Sequence, residues 1–359
     1  MVLTFRWYDE PDPVGLDRIR QIPGLSGIVA ALYDLKPGEA WPEYRVAALR
    51  ARIEAAGLDW RVIESIPVHE EIKYGGPERD ARIEAWIDSA RSVAKVLGPR
   101  SPSGSEEPVV ITYNFMPVFD WTRSDLGKLL PDGSKALAYE EEVVAKMDPL
   151  EGELELPGWL AHYSRSDLYR LLQRWREIGP EELWSNIAYF LRAVVPVVEE
   201  LGMRLAIHPD DPPWPIFGIP RIITDSTALR RLLSIVDSRA NSICLCSGSF
   251  GVLASNDLVA MAEEFSDRIS FVHLRNVKIT GPRSFQESAH WSSSGSLDMA
   301  AIVRALIASG YSGPFRPDHG RMIWGEEGRP GYGLHDRALG AQYLLGLVDA
   351  TRLSLRSTS

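Results

Sequence analysis

The chain has 359 residues, 45% of them hydrophobic and 9% aromatic, which is enough apolar material to fill one large core. Its 39 basic against 49 acidic residues give a net charge of -10, and no cluster of Lys or Arg offers a track along a phosphate backbone, so no nucleic-acid partner is expected. No apolar stretch approaches the roughly 20 residues that cross a bilayer, and MVLTFRWYDEPDP has neither a basic leader nor a long apolar core. A cytoplasmic protein with no membrane partner is expected.

The first strand is predicted at 3–7, followed by Asp12, Pro13 and a helical stretch that includes Ile19 and Ile22. Apolar runs at 27–32 (GIVAAL), 60–64 (WRVIE) and 109–115 (VVITYNF) supply three more strands, separated by helical patterns at 41–56 and 79–97. The segment from about 116 to 180 breaks this rhythm with Gly, Pro and acidic residues and one helical piece near 166–176, and reads as a long, mainly helical insertion. The rhythm then resumes with strands at 204–208, 242–246, 269–273 and 315–318, and helices at 183–201, 227–237, 257–265 and 299–308. A helical pattern at about 334–353 would close the ring, and the residues from about 354 to 359 read as a frayed tail.

Most of these eight runs are continuous rather than alternating, as parallel strands buried on both faces require. Eight strands alternating with helices predict an α/β fold, a (β/α)8 TIM barrel forming a single domain over residues 1–359. In such a barrel every strand points the same way, so the C-terminal ends meet at one mouth, where active sites lie.

Strands five to eight each end in a residue able to hold a metal: His208 in AIHPDDPP, Cys246 in ICLCSGS, His273 in FVHLR and Asp318 in FRPDHG. Either histidine alone reads more readily as a hydrogen-bonded core residue than as a ligand, but four such groups at adjacent strand ends point to one ion. Imidazole, thiolate and carboxylate together suit Mn, Fe, Co or Zn better than Mg or Ca, which prefer oxygen throughout. A metal with open positions would act as a Lewis acid on a bound substrate. The two cysteines, Cys244 and Cys246, share one strand face rather than a bonding geometry, which suits a reducing compartment; Cys244 reads as core packing one layer below.

Arg275 lies two positions beyond His273 and so points the same way, where its guanidinium can fork onto a carboxylate or serve as an ordinary pairing arginine. His319 directly follows Asp318 and suits acid–base work near neutral pH. Tyr332, framed by Gly331 and Gly333, is either a phenol brought into the site or a loop anchor. Asn114, at the end of the fourth strand, and Asp210, in HPDDPP, are candidates for substrate contact, with turn capping an equal reading of the Asp210–Asp211 pair.

Longer motifs form a colinear set from about residue 5 to 345: RWY, ESIPVHEEIK (64–73), YNFMPVFDWTR (113–123), PDGSKAL (131–137), IHPDDPP (207–213), GIPRI (218–222), HLRN (273–276), RPDHGRMIWG (316–325) and PGYGLHDRALGA (330–341). With them the chain resembles the mannonate dehydratases, a family of xylose-isomerase-like barrels that convert D-mannonate to 2-keto-3-deoxy-D-gluconate in hexuronate breakdown. The resemblance implies a divalent ion, typically Mn2+, with Fe2+, Co2+ or Zn2+ as alternatives, held at His208, Cys246, His273 and Asp318. It also implies acid–base work by His319 and Tyr332, a substrate carboxylate met by Arg275, and a homodimer or larger homo-oligomer. Tyr33-Asp34, where some relatives carry two histidines, and Ser247, where others have threonine or valine, are minor departures.

Eliminating water from such an acid removes a weakly acidic proton from C2 while hydroxide leaves C3, so the site must stabilise an enediolate dianion. Tyr332 as base and His319 as acid is the expected division, which requires the phenol to titrate well below its usual value of about 10. An isomerase or epimerase of neutral sugars on the same barrel has less need of Arg275 and of a cysteine ligand. A uronate reductase would need a Gly-rich dinucleotide fingerprint, which GPERD and GPRS do not supply. A non-catalytic sugar-acid binder is the remaining alternative.

Overall fold

The computed structural model describes residues 1–10, 12–98, 107–150 and 164–357. In chain order the first barrel strands are β1 (Val2–Arg6), β2 (Gly27–Ala30), β3 (Asp59–Glu64) and β4 (Val110–Tyr113). A hairpin of β5 (Asp125–Leu129) and β6 (Lys135–Tyr139) follows. Barrel strands β7 (Arg204–Ile207), β8 (Asn241–Cys246) and β9 (Ile269–Leu274) lead to a second hairpin, β10 (Val277–Gly281) and β11 (Ser284–Glu287), before β12 (Pro314–Pro317). The barrel closes in the order β1-β12-β9-β8-β7-β4-β3-β2, every pairing parallel. All eight barrel strands fall where the apolar runs predict them.

The reason is visible in burial. Inside the barrel, Val29, Val62, Val110, Ala206, Cys244 and Phe271 form one packed layer, with Cys244 in the core role expected of it. The opposite strand faces pack on the helices. Phe190, from the helix Pro180–Glu200, meets Trp86 edge-on at 5.5 Å and also contacts Tyr113 and Phe115, joining that helix to Arg79–Leu97 and β4. The side chains of Asp225, Asp257 and Asp298 cap the helices Ser226–Ile235, Leu258–Glu264 and Met299–Ala308 by accepting first-turn amides, each cap stabilising by about 1 kcal/mol.

Beyond the repeat, the structure adds an element that the sequence pattern does not reveal. The two hairpins combine into an antiparallel sheet in the order β10-β11-β6-β5, so the insertion after β4 contributes strands as well as the expected helix, seen at Arg165–Trp175. Part of the insertion, 151–163, lies outside the described residues. The helix is fastened to the barrel by a buried group: Glu70 takes Lys73 Nζ at 2.7 Å and the Val118 amide at 3.1 Å on one oxygen, and Trp175 Nε1 at 2.9 Å on the other. The C-terminal helix runs from His335 to Ser357, so residues 354–357 continue it instead of fraying as expected, while 358–359 lie outside the described residues. Among the described residues no helix is long and apolar enough to cross a membrane.

Candidate active site at the barrel mouth

Parallel register sets the level of the site. Cys246, the last residue of β8, pairs with His273 on β9, and His273 pairs in turn with Arg316 on β12. His208 follows β7 directly, its amide donating to the Tyr113 carbonyl at 2.7 Å. The ligand atoms of His208, Cys246 and His273 all lie within 4.8 Å of one another, the arrangement of a possible metal site. Asp318, the fourth expected ligand, borders this trio: its Oδ2 is 3.8 Å from Cys246 Sγ and 3.7 Å from His273 Nδ1.

The donors suit a divalent ion. His273 is fully buried, yet neither ring nitrogen has a hydrogen-bond partner, a costly condition that coordination would relieve. Burial pushes the Cys246 thiol up, but the charges of Arg275 and His208 outweigh it and hold the thiol well below its usual range. Burial pulls His208 down, and the facing Cys246 more than reverses this, raising it to about 9. For Asp318, burial is outweighed by Arg316 first and then by His319, His273 and Arg275, so the carboxyl stays ionised. Ser249 donates its hydroxyl to Cys246 Sγ at 3.2 Å and orients the sulfur.

Beside the trio lies a small cavity of about 60 Å³, lined by His208, Asp318, His319, Tyr332, Arg316 and Asn114 among others. His319 Nε2 and the Tyr332 hydroxyl are 2.8 Å apart, and the Trp121 ring lies 4.9 Å from the His319 ring. Gly331 carries φ +78°, which L side chains rarely adopt, and a Cβ there would meet Leu137 Cδ1 at 2.6 Å, so a substitution strains the backbone that presents Tyr332. Burial drives the Tyr332 phenol well above its usual range, with Tyr8 and Asp318 adding to the effect against Arg316 and Arg6. This runs against the low phenol value that a Tyr332 base requires.

The remaining expected residues divide. Asn114 lines the cavity, its amide nitrogen donating to Asp120 and its oxygen accepting from the Met116 amide. Asp210 does not line it; its Oδ2 accepts the Ile222 and Ile223 amides at 2.6 and 2.9 Å, the turn-holding alternative. Burial raises its carboxyl. Arg275 is buried beneath the cavity and fully engaged, with Nη2 on Asp211 at 2.6 Å, Nε on Asp318 at 3.1 Å and Nη1 on Glu287.

Three residues that sequence reasoning missed, Arg123, Glu64 and Glu287, complete the centre together with Asp211 of the HPDDPP motif. Arg123 donates to both Asp211 oxygens and, at 3.0 Å, to Glu287. Glu64, from the end of β3, binds Arg6 at 2.7 Å and Arg316 at 2.9 Å, with its other oxygen 3.5 Å from His273 Nε2. Asp211, like Glu287 and Arg123, is fully buried. Glu64 closes a strand as the expected ligands do, so its position was a usable signal; Arg123 ends the motif YNFMPVFDWTR, which marks the segment without revealing the residue's partners, and Glu287 sits in a short polar segment that offers none.

With that geometry in view, comparisons with known proteins converge. Residues 1–357 match the family model described as D-mannonate dehydratase. The chain is 52% identical over 352 residues to mannonate dehydratase 2 of Halalkalibacterium halodurans, covering 98% of this chain and 99% of the relative. It is 49% identical to the mannonate dehydratase of Streptococcus agalactiae, covering 98% of each chain. The solved mannonate dehydratase of Streptococcus suis matches with a TM-score of 0.89 at 46% identity, covering 99% of this chain and 96% of that one. A xylose isomerase domain protein of Alicyclobacillus acidocaldarius, at 14% identity and a TM-score of 0.56, shares the fold.

Proposed function

We propose, from the premise that the chain belongs to the D-mannonate dehydratase family, that it is a hydro-lyase eliminating water from D-mannonate to give 2-keto-3-deoxy-D-gluconate in hexuronate catabolism. The observation that carries this reading is family-wide similarity over nearly the whole chain, coinciding with a mouth cavity lined by His208, Asp318, His319 and Tyr332. An isomerase or epimerase rests only on neighbours that share the fold at low identity, and nothing in this site favours it.

His208, Cys246 and His273, with Asp318 beside them, would hold a divalent ion, Mn2+ in our reading. When bound, such an ion supplies Lewis-acid stabilisation for charge that develops on the substrate carboxylate as C2 loses its proton. The protein's own contribution is proton traffic and orientation. His319 Nε2 and the Tyr332 hydroxyl face the cavity as a hydrogen-bonded pair, positioned to take the C2 proton and to protonate the departing C3 hydroxyl. Because burial keeps Tyr332 a phenol, we assign His319 as the acceptor of the C2 proton and Tyr332 as the donor to the departing hydroxyl, its proton replaced by that of the His319 imidazolium across their 2.8 Å contact so that no free phenolate is left, reversing the expected division. Asn114 is proposed to contact substrate hydroxyls. Arg275 acts here through Asp318 and Asp211, since its guanidinium is already shared among three carboxylates and leaves no fork for a substrate.

The test is incubation of chelator-stripped protein with D-mannonate, with and without Mn2+, following 2-keto-3-deoxy-D-gluconate. Metal-dependent product supports the reading; no product with any divalent ion overturns it.

A further inference from the structure

The hydroxyl–imidazole pair leaves one matter open: which ring nitrogen of His319 carries the proton. The neutral ring has one N–H, and the partner of each nitrogen decides its place. His319 Nδ1 lies 3.3 Å from Glu287 Oε1, whereas Nε2 is 2.8 Å from the Tyr332 hydroxyl and 4.0 Å from the nearer Asp318 oxygen, beyond hydrogen-bond reach. An ionised carboxylate only accepts, while a phenol can donate. Glu287 is fully buried and faces the guanidinium groups of Arg123 and Arg275; Arg275 first, then His319 and Arg123, hold its carboxyl below the usual range against burial.

We infer that Glu287 is the positioning residue of His319: its carboxylate fixes the imidazole as the Nδ1–H tautomer and so presents Nε2 to Tyr332 and the cavity as a proton acceptor. Glu287 belongs to β11, outside the barrel repeat, and the accessory sheet is what brings its carboxylate over the mouth. When Nε2 takes a proton, the ring becomes imidazolium and its positive charge faces the Glu287 carboxylate, a stabilisation arranged before the reaction begins. Glu287 does not line the cavity, so we assign its part in the chemistry to its contact with His319, while its pairs with Arg123 and Arg275 hold the carboxylate in place. A purely structural alternative, in which Glu287 only neutralises Arg123 and Arg275, makes no demand on the imidazole.

The inference rests on the reading of His319 and Tyr332 as the acid–base pair, and the experiment separates the two. Protein with 15N-labelled histidine, loaded with Zn2+ as a diamagnetic ion, is examined by long-range proton–nitrogen correlation, with His319 assigned by difference from His319→Gln. The expected result is a protonated Nδ1 and an unprotonated Nε2 in the wild type, and a loss of that preference in Glu287→Leu, which keeps no acceptor facing Nδ1. A protonated Nε2 in the wild type, or a tautomer unmoved by Glu287→Leu, overturns the inference without needing any turnover. In kinetics, Glu287→Gln is expected to lower kcat on the order of 10²-fold with KM little changed, and Glu287→Asp to recover part of it. If His319→Gln turns over normally while the wild-type tautomer is as stated, the acid–base reading fails and the tautomer assignment stands.

Discussion

His319 and Tyr332 meet across 2.8 Å, imidazole Nε2 to phenol oxygen, from near the two ends of the segment that joins β12 to the C-terminal helix. The pair is only as good as the loop that carries Tyr332. Tyr332→Phe removes the hydroxyl and keeps the ring packed against Tyr8 and His319. We expect kcat to fall about 10²- to 10⁴-fold with an unchanged melting temperature, measured by product formation and thermal denaturation. A loss below tenfold would remove Tyr332 from the chemistry.

Ser249 offers a gentler probe of the metal centre than any ligand. Its hydroxyl donates to Cys246 Sγ at 3.2 Å and also accepts from Arg275 Nη2 at 3.1 Å. Ser249→Ala should weaken metal affinity about 10- to 100-fold, read by Co2+ titration of the thiolate absorbance. Cys246→Ala should abolish that absorbance altogether.

Arg275 is a structural keystone in energetic terms. Replacing it by Met leaves Asp211, Glu287 and Asp318 buried with one guanidinium fewer among them. Removing one partner of a buried ion pair costs about 3–5 kcal/mol, so urea unfolding of Arg275→Met should show a loss of that size. A variant within 1 kcal/mol of wild type would mean that the carboxylates find other partners.

Acid stability should report the same network. In the folded chain Asp211 is held well below its usual range, burial being outweighed by Arg123 and Arg275. A carboxyl whose folded value lies below its unfolded value of about 3.9 contributes stability that is complete above that pH and disappears as the pH falls toward the folded value. The urea midpoint should therefore drop as pH is lowered from about 5 toward 2, and Asp211→Asn should drop less over that window. Equal slopes in the two proteins would refute the assignment.

The barrel was legible because its strands are buried on both faces, so VVITYNF and ICLC announce themselves by continuous hydrophobicity. The proximity of His208, Cys246 and His273 was legible because strand ends sort side chains to one mouth. The accessory sheet was not: β5 alternates exposed and half-buried positions, and most of β10 is exposed, so neither carries an apolar run. A turn signal was available in PDGS, where Gly133 takes φ +83° between β5 and β6, and in GPRS between β10 and β11. Asp210 and Arg275 show the other limit, since strand periodicity states which way a side chain leaves the backbone and says nothing about what already occupies it.

One oxygen of Glu287 receives Arg123 from the insertion after β4, Arg275 from beyond β9 and His319 from beyond β12. Three excursions, reaching from Arg123 to His319 along the chain, thus share a single atom. Barrels are often treated as chassis whose loops can be exchanged one at a time. Here a graft of any one loop from a distant relative would strand the other two, so these segments must be inherited, or transplanted, as a set.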